Sequence, residues 1–158
     1  MSQKLTRAVV LAGIALAGPM ALGLDLVARR IIVGGQPEDV QQFMAEHVTR
    51  IAWFFLPGPL IGGLLGFFLY PSLYRRTLAR LPSETPAIAE ASEHRADLTA
   101  LMIATTAAQA PALLGDVSVM LGARLTPALC TTALSVTAVL LIGALSGPAR
   151  TSRNVKNS

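Results

Sequence analysis

The sequence predicts an all-α membrane protein, a four-transmembrane-helix bundle with a short external amphipathic helix. Three observations predict it. Only 14% of the 158 residues are charged, against 53% apolar, where a soluble domain carries about 25% charge. Four windows, Ala8–Leu24, Ile51–Tyr74, Leu98–Gly115 and Leu125–Ala149, contain no Asp, Glu, Lys, Arg or His. They hold 17, 24, 18 and 25 residues, each about the length of helix that crosses ~30 Å of hydrocarbon. The longest segment between windows has 26 residues, too short for a soluble domain of any size. A soluble globular domain, a coiled coil and a disordered tail are thereby excluded. The expected organisation is one integral membrane domain over residues 1–150, with spans at about 8–28, 51–74, 98–122 and 126–147, and a polar tail over 151–158. That tail is expected to be disordered.

The first span begins like a secretory signal, with Lys4 and Arg7 before an apolar run. The run is long for a signal core, and Asp25, Arg29 and Arg30 follow it in place of a small-residue cleavage site. It therefore reads as an uncleaved span. Gly34–Gly35 ends that helix, and Gln36-Pro37-Glu38-Asp39 starts another, with Pro near the first position and acids in the first turn. Val40, Phe43, Met44 and His47–Val48 recur at helical spacing, so a short amphipathic helix should run into the second span. That span carries Pro57 and Pro59 near its start and the pair Gly62 and Gly66. Trp53 sits at one end and Tyr70 and Tyr74 at the other, at headgroup depth. Pro82, Ser83, Glu84, Thr85 and Pro86 form a turn-rich connection, after which Ala87–Asp97 should begin the third helix below the membrane.

Small residues set the expected packing. Lipid tails are as apolar as leucine, so spans associate where small side chains let backbones approach. The third span places Ala100, Ala104, Ala108 and Ala112 at steps of four, one smooth ridge. Packing inside the bundle is the first reading of that ridge and an oligomer interface the second. Pro19, Pro111 and Pro127 interrupt or open the other spans. An internal proline frees the carbonyl four residues back, here Ala15 and Ala107, and each must find a partner in the bundle. The fourth span adds Gly143 and Gly147, and the single cysteine, Cys130, reads as a small packing residue.

Charge placement gives orientation. With four spans, one side collects Lys4, Arg7, Arg75, Arg76, Arg80, Arg95, Arg150, Arg153 and Lys156, nine in all, and the other Arg29, Arg30, Arg50 and Arg124. Nine against four predicts both termini in the cytoplasm, in the inner membrane. The net charge of +4 and pI near 10 follow from these flanking residues. No basic run interleaved with aromatics occurs, so nucleic acid is not an expected partner.

Two carboxylates stand at the edges of charge-free windows, Asp25 and Asp116. A charge at the bilayer centre costs roughly 2.5–3.5 kcal/mol on insertion scales, so such a residue faces protein and seeks a partner. Asp25 has Arg29 four residues on. Asp116 extends the alanine ridge, and Thr105 and Gln109 share its side of the helix, a polar stripe. Arg29 and Arg30 are its expected ion-pair partners, or a polar pocket shared with Asp25, with Arg124 further out. Pro19–Asp25 and Pro111–Asp116 echo one another, with a one-residue difference that turns the carboxylate by about 100°. No metal cluster, cofactor motif or nucleophile pattern is present, so no catalytic residue is expected.

The segment Ala107–Leu145, with Ala-Gln-Ala-Pro-Ala-Leu-Leu-Gly near its start, resembles the second hairpin of small uncharacterised bacterial four-span membrane proteins. A Glu-Ala-Pro-Ala-like segment opens the same helix–loop–helix there, and Gln109 stands where that Glu is expected. The resemblance implies the architecture and brings no activity with it. The expected function is a non-enzymatic accessory or scaffold subunit acting through helix packing. Its expected partners are the lipid bilayer and either a second copy or another membrane protein. The alternative is a small oligomeric channel or proton-linked transporter using Asp116.

Overall fold

The structure is a computed structural model that describes residues 3–82 and 85–146. Of these, 87% are helical, with no strand among the described residues. The helices are α1 (Gln3–Ile32), α2 (Glu38–Trp53), α3 (Gly58–Leu78), α4 (Pro86–Met120) and α5 (Leu125–Leu145). Four segments are long and apolar enough to cross a membrane, with α2 and α3 together forming one of them. The fold is therefore the expected all-α bundle of four candidate spans. The tail over 151–158, Gly147 and part of the Pro82–Pro86 connection lie outside the described residues.

Two helices outrun their apolar windows. α1 starts at Gln3 and ends at Ile32, and Arg29 and Arg30 in its last turn suit the negative end of the helix dipole. α4 starts at Pro86, where the Thr85 hydroxyl accepts from the Ile88 amide, so the helix begins before Ala87–Asp97, well ahead of its charge-free window. α2 begins after Pro37 with Glu38 and Asp39 in its first turn. The second span is broken, however. Phe54, Phe55 and Leu56 donate their amides three residues back, to Ile51, Ala52 and Trp53. The lack of amide protons at Pro57 and Pro59 makes this tight turn the natural continuation. Gly58 then lies against Pro111, nine residues before the end of α4 and so about 14 Å below it. The last turn of α2 and the turn after it thus carry the chain through the outer part of the bundle.

α4 and α5 form the short diagonal of the bundle, each packed on both α1 and α3. The ridge predicted on α4 is buried: Ala100, Ala104, Ala108 and Ala112 are at most 2% exposed, and Ala96, one step before them, is buried too. α3 meets it with glycine. A methyl group at Gly62 would overlap the Ala107 carbonyl, and one at Gly66 the Ala104 carbonyl. Gly58, Gly62, Gly66, Tyr70 and Tyr74 recur at steps of four, so one face of α3 is backbone-smooth at its start and aromatic at its end. The alanine ridge therefore packs the bundle from within. Leu101 is also fully buried, beside the ridge.

α2 covers the α4–α5 turn. Its Thr49 hydroxyl accepts from the Arg124 amide at 2.8 Å. Gly122, with φ of +102°, lies under Met44, whose Cβ would be 3.2 Å from any Cβ added there. Phe43 and His47, stacked at 4.1 Å, stay on the outside with Ile51 and Phe54.

Candidate functional site

α4 holds two buried carboxylates, Asp97 and Asp116, 19 residues and about 28 Å apart. The sequence places Asp97 immediately before a charge-free window, and Arg7 occupies the same position before the first window. Both enter the bundle at the same end. Arg7 Nη1 lies 3.3 Å from Asp97 Oδ2, and Tyr70 donates its phenol to Asp97 Oδ1. Tyr70 reaches it because it follows Gly66 by one step on the α3 face. The other guanidinium nitrogen of Arg7 donates to the carbonyls of Gly143, at 3.2 Å, and Ser146. α1, α3, α4 and the end of α5 are thereby joined through one ion pair. Sequence reading missed this cluster, although two charges each abutting an apolar window on one side were its visible signal.

Asp116 has a different environment. It is 0% exposed. The Thr132 hydroxyl of α5 donates to its Oδ1 at 2.9 Å, and its Oδ2 is buried without a hydrogen-bond partner among the described residues. Gly18 of α1 makes room for Thr132, whose methyl would lie 3.3 Å from a Cβ at that position. Asp25 on α1 is half-buried. The expected ion pairs with Asp116 are corrected. Arg29 donates instead to the Ala123 and Gly122 carbonyls, at 2.8 and 3.4 Å. Those carbonyls belong to the turn that follows α4, where the negative end of the helix dipole also favours a cation. Arg30 is exposed, and Arg124 meets α2 through its backbone while its side chain faces outward. Among the described residues the ion pairs are Arg7–Asp97 and Arg50–Glu46, so the local Asp25–Arg29 pair is corrected as well.

The three polar residues of the expected α4 stripe bond to different partners. Thr105 is fully buried and donates to the Leu101 carbonyl of its own helix at 2.8 Å. Gln109 donates its amide to the Ile14 carbonyl of α1, next to Ala15, whose carbonyl Pro19 frees. Asp116 turns to Thr132. No chain of side-chain hydrogen bonds links the three among the described residues. Asp97 is balanced by a cation and a phenol; Asp116 has one neutral donor for two oxygens. Set beside known proteins, the chain matches no family model, no curated protein and no solved structure.

Proposed function

We propose that the chain is a multi-pass inner-membrane protein with both termini cytoplasmic, a non-enzymatic accessory or scaffold subunit that acts through helix packing. Its partner is a second copy or another membrane protein. We also place it beside the small bacterial four-span proteins whose second hairpin Ala107–Leu145 resembles. The observation that carries the reading is the fastening of α1 at three depths. Arg7 holds it at one end, Gln109 in the middle and Arg29 at the other. Interior polar groups used to lock helices together suit a rigid body that presents a fixed apolar exterior. Purification from native membranes in mild detergent tests it. A stable co-purifying protein or a defined oligomer is expected, and liposomes containing the protein should hold a proton gradient as well as empty ones.

A second reading, a small channel or proton-linked transporter, is favoured by the unpaired Oδ2 of a fully buried Asp116. Buried ionisable groups in spans mark proton relays in pumps and transporters. Dissipation of the gradient by the wild-type protein, abolished by Asp116→Asn, would select this reading over the first.

A further inference from the structure

A groove of about 310 Å³ opens on the side of the bundle between α3 and α5. Its floor is the crossing of Gly63 and Ala138, where a Cβ added at Gly63 would lie 2.9 Å from the Ala138 Cβ. Two small residues at the crossing and large ones around it, Phe67 and Leu145 among them, make the depression. Its lining is apolar except for Thr137, which donates its hydroxyl to the Ala133 carbonyl at 2.8 Å. The occupant must therefore be apolar.

Length selects the occupant further. On α5 the groove runs from Leu134 to Leu145, about 16 Å at 1.5 Å per residue. That is half of the ~30 Å hydrocarbon thickness, the depth reached by a chain from one leaflet. It occupies the C-terminal half of α5, so the leaflet is the one at the Arg7–Asp97 end. A cation lies beyond the end of the groove. Phe67, Pro71 and Arg75 follow one another at steps of four on α3, which places Arg75 about 12 Å beyond Phe67 and about 80° around the helix from it, in a second depression that it lines with Ser92 and Glu93 of α4. Arg75 is exposed and has no ion-pair partner among the described residues.

We propose that this groove binds one acyl chain of an anionic phospholipid, with the lipid phosphate on Arg75. The inference rests on the four-span fold and on neither functional reading. The full chain, reconstituted in nanodiscs of equal phosphatidylglycerol and phosphatidylcholine and released into the gas phase, tests it by native mass spectrometry. One retained phosphatidylglycerol per protein is expected. Thr137→Trp, at an exposed position that keeps the bundle core intact, should fill the groove and remove the bound lipid. Arg75→Gln should keep a lipid and lose about fivefold of the preference for the anionic headgroup. Equal retention of both lipids by the wild type, bound lipid unaffected by either variant, or a lipid-free dimer would each overturn the proposal.

Discussion

At the scale of single residues, the two carboxylates of α4 predict opposite mutational behaviour. Asp97 has a cation 3.3 Å away, so removing one partner leaves the other without its counter-charge. Asp97→Leu or Arg7→Met alone should lower thermal stability in detergent by about 3–5 kcal/mol. The double variant should recover most of that loss, because neither charge is then left uncompensated. Additive losses in the double variant would mean that the two side chains do not act as a pair. Among the described residues Asp116 has only the Thr132 hydroxyl. Asp116→Asn keeps an acceptor for that hydroxyl and removes the uncompensated charge, so its melting temperature should equal or exceed that of the wild type. Thr132→Val leaves Asp116 Oδ1 unpaired and should cost about 1–3 kcal/mol. A large destabilisation by Asp116→Asn would reveal a cation that balances the carboxylate.

At the scale of helices, the contact between α3 and α4 depends on the absence of side chains. Ala108 is fully buried beneath Gly62, where even one carbon would overlap the α4 backbone. Ala108→Leu should cost about 1–3 kcal/mol by forcing the helices apart. Met102→Ala, at a position 54% exposed on the same helix, should stay within about 0.5 kcal/mol. Both are read by thermal denaturation in detergent, and equal effects would mean that α4 is rotated. Leu101 is no neutral control here, because its full burial makes Leu101→Ala a cavity-forming change of about 2–5 kcal/mol. The alanine ridge and the glycines were legible in the sequence because steps of four on a helix need no partner to be seen. The rotation that buries Leu101 was not, since its side chain is as much at home in lipid as in a core. The break after Trp53 was signalled by Pro57 and Pro59. Its depth depends on Gly58 meeting Pro111, a contact between segments more than fifty residues apart.

At the scale of the whole molecule, charge-free windows made the four spans legible, and flanking Lys and Arg residues sort them by side. What escaped was the pairing of polar groups across helices. Arg29 was paired in expectation with a carboxylate and is used on carbonyls, because the end of α4 exposes acceptors that no composition displays. Arg7, Tyr70 and Asp97 lie far apart in sequence and meet only after the bundle closes. Their meeting puts the start of α1, the far half of α3, the first half of α4 and the end of α5 at one end of the molecule. The turn between α1 and α2 lies at the other. That arrangement, set in a bilayer by the nine-to-four asymmetry of basic residues, is the central claim. A topology reporter inserted beside Pro37 and, separately, fused after Ser158 tests it most directly in living cells. External activity at Pro37 and cytoplasmic activity after Ser158 are the results the account predicts. A cytoplasmic signal from the Pro37 site would contradict it.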